Sequence, residues 1–168
     1  LNFAGVNYYD GQGFMVKSSL GISSALELGG AAVCIQAGTT TELNLADWGK
    51  QNGIDYQSVV SDTNAQTLTN YDSGRCDVLT TDASGLYSMR AASNDPSEHV
   101  VLPEIISKEP LGPVVRQGDD QWFNIVRWSL NAMITAEELG VTSATVDDVT
   151  NNPERERLMG RSGNTHEY

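Results

Sequence analysis

Residues 31–48, AAVCIQAGTTTELNLADW, constrain the fold more than any other stretch of this chain. Ala31 to Ile35 read as a short buried strand, Gly38 permits a tight turn, and Thr39 with Glu42 fits the T-x-x-E capping box that opens a helix. A buried strand that turns straight into a helix is half of a βαβ unit and needs a partner strand beside it. The N–H groups of that first helical turn, with the hydroxyls of Thr39, Thr40 and Thr41, can hold a small carboxylate or phosphate. The plainer alternative is a capped helix and nothing more.

The same rhythm runs along much of the chain. Strands are expected at Phe14–Val16, Ala32–Gln36, Tyr56–Val60, Cys76–Thr80 and His99–Leu102. Helices are expected at Ser24–Leu28, Thr40–Gln51, Asn64–Tyr71 and Ala83–Ala92. This alternation predicts a parallel sheet covered by helices on both faces, with ligands gathering at the carboxyl ends of the strands. The threonine turn and Asp82 both fall at that edge. Asp82, which closes the run GRCDVLTTD, either pairs with an ammonium group or caps the helix that starts at Ala83. An anion cradle and a facing carboxylate are together the two poles that an α-amino-acid zwitterion needs. Beyond Pro110 and Pro113 a short strand, Val114–Arg116, precedes a long amphipathic helix from near Asp119 to Gly140. Its apolar positions Trp122, Ile125, Val126, Leu130, Met133 and Ile134 are expected to bury one face as core.

Composition narrows the function. A chain of 168 residues suits one domain or one lobe of a larger protein. Its net charge of −12 disfavours nucleic acid and anionic membrane surfaces. Lys17, Lys50 and Lys108 are isolated, and Arg155, Arg157 and Arg161 sit among Glu154, Glu156 and Glu167. No apolar run reaches the roughly 18 residues that a membrane-spanning helix requires. The start at Leu1 points to a processed or trimmed segment. Cys34 and Cys76 are open to two readings, a disulfide or two buried thiols. His99 and His166 stand at no ligand spacing to a cysteine, so no metal site and no cofactor is expected. A phosphate reading of the turn lacks the G-x-x-x-x-G-K-[ST] loop. Catalysis is disfavoured too, because His99 and Cys34 lie in apolar strands and no second carboxylate is clearly placed to work with Asp82 or Glu42.

Four blocks, YYDGQGFMV (8–16), VCIQAGTTTELNLADW (33–48), GRCDVLTTDASGL (74–86) and LPEIISKEPLGPVVRQGDDQWFNIV (102–126), occur in an order that resembles the periplasmic general L-amino-acid-binding proteins of ABC transporters, solute-binding protein family 3. The resemblance covers nearly the whole chain. It implies an α/β, three-layer Rossmann-like lobe of a type II periplasmic binding protein, with a mostly parallel central sheet. It further implies that Thr39, Thr40 and Thr41 hold a ligand α-carboxylate and Asp82 its α-ammonium, without catalysis. Segments 8–16 and 108–117 would be the hinge connections, with Tyr9, Gly11, Gly13, Pro110 and Gly112 as hinge residues.

The implied organisation is a hinge-proximal segment and first crossing over 1–16, a ligand-binding lobe over 17–107, a second crossing over 108–117 and a C-terminal helical segment over 118–168. The family's first lobe and a further C-terminal segment have no counterpart here, so the chain is expected to be a lobe fragment with an incomplete site. The implied partners are an L-amino acid and the membrane subunits of an ABC permease, in the periplasm, with no insertion into the membrane. The uncovered surface of such a fragment is expected to favour a non-native dimer. The rivals on the same scaffold are a cyclohexadienyl-dehydratase-like lyase and the ligand-sensing domain of a receptor.

Overall fold

The computed structural model describes residues 1–146 and 153–158. In chain order the strands and helices are β1 (Asn2–Phe3), β2 (Tyr8–Asp10), β3 (Gln12–Lys17), β4 (Ala32–Gln36), α1 (Thr40–Asn52), β5 (Gln57–Ser61), α2 (Asn64–Asp72), β6 (Val78–Asp82), α3 (Ala83–Ala92), β7 (His99–Val101), β8 (Glu109–Leu111), β9 (Val114–Val115), α4 (Asp120–Glu138) and α5 (Pro153–Leu158). They fall into two compact units: one is Tyr9–Pro110, and the other is Leu1–Tyr8 with the described residues from Leu111 onward.

The first unit is built on a five-stranded sheet in the order β5-β4-β6-β3-β7. β4 is parallel to β5 and β6, whereas β3 is antiparallel to both of its neighbours, β6 and β7. The parallel sheet read from the βαβα rhythm is therefore present with one reversed strand, β3, next to the edge strand β7. Side chains alternate between the two faces, as the pleat requires. Phe14, Val16, Val33, Ile35 and Val78 pack with Leu45 of α1 and with Leu28 and Leu102. Met15, Cys34 and Leu79 pack on the other face with Tyr71 of α2 and Leu86 of α3. Each of these large side chains contributes about 1.5–3 kcal/mol on burial, so the sheet is held from both sides.

Several expected boundaries shift. The strand expected from Cys76 begins at Val78, because Cys76 lies in the turn that delivers its sulfur to β4. The disulfide reading of the two cysteines is the one realised: Cys34 and Cys76 are bonded, with Cα atoms 5.7 Å apart. The short helix near Ser24 is a single 3-10 turn, Ala25–Glu27, and it carries a complete capping box between Ser24 and Glu27. The capping box expected at Thr39 does not form. The Thr39 hydroxyl donates to the Gln36 carbonyl instead, and the Glu42 carboxylate accepts from the Gly38 N–H. Helix α1 runs one residue further than expected, to a left-handed Gly53.

The second unit overturns one expectation outright. Helix α4 has the predicted apolar periodicity, yet Trp122, Ile125, Met133 and Ile134 are exposed and only Leu130 is buried within the helix. Periodicity reports a face that needs cover, and nothing among the described residues of this unit supplies it. Its small sheet is the antiparallel pair of β1 with β9, and its buried apolar residues are Ala4, Val115 and Leu130. The tail beyond Leu158, with Arg161, His166 and Glu167, lies outside the described residues, as do the Arg155 and Arg157 side chains.

The disulfide closes a separation of 42 residues across the second apolar cluster. Reduction, or the double substitution Cys34→Ala with Cys76→Ala, is expected to cost roughly 2–4 kcal/mol in urea unfolding. An unchanged unfolding midpoint would contradict this.

Candidate functional site

Three helices, α1, α2 and α3, begin at the carboxyl ends of the parallel strands β4, β5 and β6, so their N-termini share one edge of the sheet. Each N-terminus presents N–H groups without intrahelical partners and the positive end of a helix dipole. Two of the three carry caps, although at α2 only the Gln66 N–H is engaged and the Asn64 and Ala65 N–H groups have no acceptor among the described residues. At α2 the Thr63 hydroxyl accepts from the Gln66 N–H at 3.3 Å. At α3 the Gly11 carbonyl accepts from the Ala83 N–H at 2.8 Å, and Asp10 accepts from both the N–H and the hydroxyl of Ser84.

Helix α1 lacks a side-chain cap. Gly38 turns with φ 66°, and its N-cap residue Thr39 makes no side-chain cap bond. The Glu42 N–H bonds back to the Thr39 carbonyl at 3.2 Å. The Thr40 and Thr41 N–H groups then have no acceptor among the described residues, and the hydroxyls of both threonines are likewise uncommitted. The turn combines two free donors, two free hydroxyls and a helix dipole, which favours a carboxylate-sized anion.

Asp82, the last residue of β6, stands as N-cap of α3 but makes no cap bond. Asp10 has taken that role from the neighbouring crossing, which leaves the Asp82 carboxylate free. The two acids respond oppositely. Burial pushes Asp82 above the ordinary aspartate value, and the charges of Asp10 and Glu109 push it further. At Asp10 burial also acts upward, but hydrogen bonds from Ser84 and Gly11 outweigh it and hold the carboxyl below that value. A carboxylate made uncomfortable by its acidic neighbours gains most from a cation brought to it.

These groups meet in one cavity of about 200 Å³, lined by Gln36, Thr39, Thr40, Thr41, Asn64, Thr80, Thr81, Asp82 and Glu109. The four residues selected from sequence, Thr39, Thr40, Thr41 and Asp82, are therefore brought together, although the Thr39 hydroxyl is already engaged. Among the described residues no lysine, arginine or histidine lines this cavity, and it carries two carboxylates. A simple dianion such as phosphate would be repelled by them, whereas a group that brings its own ammonium satisfies both ends. Glu109 and Asp10 escaped sequence reasoning. Their signal was position alone, since each lies in a crossing segment beside the residues selected as hinge.

The proposed hinge residues divide. Tyr9 and Pro110 lie in the paired strands β2 and β8, where the chain passes between its two units. Gly11 and Gly13 lie within the first unit, and residues 12–16, read both as the end of the first crossing and, at Phe14–Val16, as a strand, belong to β3 of the main sheet. A Cβ on Gly11 would collide with Ile105 and with the Ser107 carbonyl. Gly112 belongs to the second unit and lies against the Gly5 carbonyl, with no room for a side chain. His99 is buried away from the cavity and pairs through Nδ1 with the Tyr71 hydroxyl at 3.1 Å.

Comparison with known proteins places this geometry. The chain is 58% identical over 166 residues, 98% of its length, to the general L-amino-acid-binding periplasmic protein of Rhizobium johnstonii, of which it covers 49%. It is 55% identical over 166 residues, 97% of its length, to the glutamate/glutamine/aspartate/asparagine-binding protein of Rhodobacter capsulatus, again covering 49%. Among solved structures, an ABC-transporter periplasmic binding protein from Brucella ovis with glutathione bound superposes with a TM-score of 0.92 at 53% identity, over 98% of this chain and 52% of that one. The chain thus spans about half the length of the curated relatives it matches. No family model matches the sequence. The resemblance carried by the four sequence blocks is borne out by these relatives, which are binding proteins, and the fold is that of a lobe of type II periplasmic binding proteins.

The pKa of Asp82 is higher in the folded chain than in the unfolded one. As pH rises from the ordinary aspartate value of 3.8, the unfolded chain gives up this proton first, so folding stability falls until Asp82 itself has ionised. Asparagine does not titrate. Asp82→Asn is expected to melt higher than the parent at pH 7 and to lose that advantage as the pH drops below 4, read by circular dichroism across a pH series. A lower melting temperature at pH 7 would refute the electrostatic account.

Proposed function

We propose that the chain is the ligand-holding half of a periplasmic substrate-binding protein that delivers polar L-amino acids to the permease of an ABC transporter, without chemical turnover. The carrying observation is the unbonded Asp82 carboxylate in the same cavity as the free Thr40 and Thr41 N–H groups. In this reading the ligand's α-carboxylate takes those N–H groups and the Thr40 and Thr41 hydroxyls, and its α-ammonium takes Asp82, with Glu109 adding negative potential. The unit Tyr9–Pro110 acts as the ligand lobe, and the strands β2 and β8, with Tyr9 and Pro110, act as the hinge on which a second lobe closes. The exposed apolar face of α4 is the surface that the remainder of a longer protein would cover. A disulfide in the core of the lobe suits an oxidising compartment such as the periplasm.

The test is calorimetry on the complete protein with L-glutamine. Charge-assisted hydrogen bonds are worth about 1.5–3 kcal/mol each, so Asp82→Asn is expected to weaken binding by roughly 100-fold. Unchanged affinity would leave Asp82 without a ligand. Half of the cleft lacks the opposing wall, and this chain by itself is expected to bind in the millimolar range or worse. Submicromolar binding by the 168-residue chain would overturn that expectation.

A second ligand class is favoured by the relative from Brucella ovis, which has glutathione bound. The γ-glutamyl residue of glutathione keeps a free α-ammonium and a free α-carboxylate on one carbon, so the same two poles fit it. The α-linked isomer Glu-Cys-Gly has the same composition but commits its α-carboxyl to a peptide bond. Glutathione is therefore expected to displace glutamine from the complete protein and the α-linked isomer to fail. Equal displacement by both isomers would argue against the anchor.

A further inference from the structure

Gln12, the first residue of β3, is fully buried behind the cavity wall. Its Nε2 donates to the Thr41 carbonyl at 3.1 Å and to Thr80 Oγ1 at 3.0 Å. Its backbone N–H donates to Ser107 Oγ at 3.0 Å, and that hydroxyl donates to Glu109 at 2.8 Å. One residue therefore ties the first turn of α1, the strand that ends in Asp82, and the segment that carries Glu109. Its Oε1 is different: it is buried with no hydrogen-bond partner, a rare and costly condition.

The amide is not what its neighbours need for satisfaction. Thr80 Oγ1 also donates to the Gly13 carbonyl at 2.8 Å, and the Thr41 carbonyl lies in α1, where the helix ladder offers it another N–H. A methionine of nearly the same shape would orphan neither and would remove the unpaired Oε1. An amide that stabilises so little, placed where it grips both walls of a ligand cavity, marks a site that breaks a local rule for the sake of its geometry. Helix α1 has no side-chain N-cap bond; Glu42 and Thr39 tie its first turn back to Gly38 and Gln36, and Gln12 ties it across to β3.

We infer that Gln12 is a positioning residue for ligand binding: its carboxamide fixes the first turn of α1 against β6, so that the Thr40 and Thr41 N–H groups meet the ligand carboxylate at a set distance from Asp82. Gln12 does not touch the ligand in this scheme; it acts through Thr41 and Thr80. The inference rests on the amino-acid reading of the cavity. It predicts a selective loss, because a group that orients the carboxylate cradle should matter only to ligands that carry the carboxylate.

The test uses Gln12→Met in the complete protein, with L-glutamine and its α-amide as ligands. L-Glutamine is expected to bind at least about 10-fold more weakly, while the α-amide changes by less than about two-fold. The melting temperature is expected to stay within about 3 °C of the parent or to rise. Equal weakening of both ligands, unchanged glutamine affinity, or a larger fall in melting temperature would overturn the inference. Asp82→Asn separates this from the reading beneath it. That substitution should weaken both ligands, since both carry the ammonium; if it left glutamine binding intact, the amino-acid site itself would fail whatever Gln12→Met did.

Discussion

Everything at the cavity depends on where β3 runs. A doubly wound lobe can be built from parallel strands alone, yet here a reversed strand is set between β6 and β7 and is buried along nearly its whole length. Because it is antiparallel to β6, its first residues lie beside the last residues of that strand, with Gln12 opposite Asp82 and Phe14 opposite Thr80. The chain that enters from β2 thus reaches the cavity edge first. Asp10 and Gly11 close the N-terminus of α3, and Gln12 grips α1 and β6 before β3 continues as core. A register slip of one residue would turn Gln12 to the opposite face and bring the apolar set of β3 with it.

This placement explains why two aspartates of one type behave so differently. Asp10 accepts three hydrogen bonds, from Gly11, from the Ser84 N–H and from the Ser84 hydroxyl, and its ionised form is favoured. Asp82 receives none of the bonds that an N-cap normally would, because its neighbour has taken them. In the proposed reading the result is a division of labour between structure and ligand. The capping charge is satisfied internally, and the charge at the strand end is left to an outside cation. With Glu109 alongside and no basic residue in the lining among the described residues, the cavity carries negative potential at one end and free helix donors at the other. A ligand that brings only one sign of charge can satisfy only half of it.

Much of this was legible in the chain because the relevant signals are local. Gly38 followed by three threonines after an apolar strand marks the turn whether or not the tertiary structure is known, and a strand that ends in Asp82 before Ala83 marks the opposite pole. What was illegible depended on partners distant in sequence. The capping box expected between Thr39 and Glu42 failed because the Gln36 carbonyl, presented by the end of β4, competed for the hydroxyl. Asp82 reads equally well as a helix cap until Asp10 is seen to displace it, across 72 residues of chain between them. Gln12 looks like any polar residue in a glycine-rich turn, since its two acceptors lie 29 and 68 residues away. The α4 stripe failed in the other direction: its period is right, but periodicity says nothing about what will cover the face.

The departures from ordinary local rules converge on one edge of the sheet. An N-terminus without a side-chain cap, a cap position whose carboxylate caps nothing and a buried acceptor without a donor all lie within reach of Thr41, Thr80 and Asp82. The opposite face of the same sheet shows none of this tension. There Met15, Cys34, Tyr71, Leu79 and Leu86 form an apolar cluster fastened by a disulfide. Apolar clusters hold the sheet on both faces, and the unsatisfied groups are concentrated at the cavity edge. The apolar clusters and the disulfide offset the cost of the unpaired groups at that edge, which is what the proposed ligand site requires of the fold.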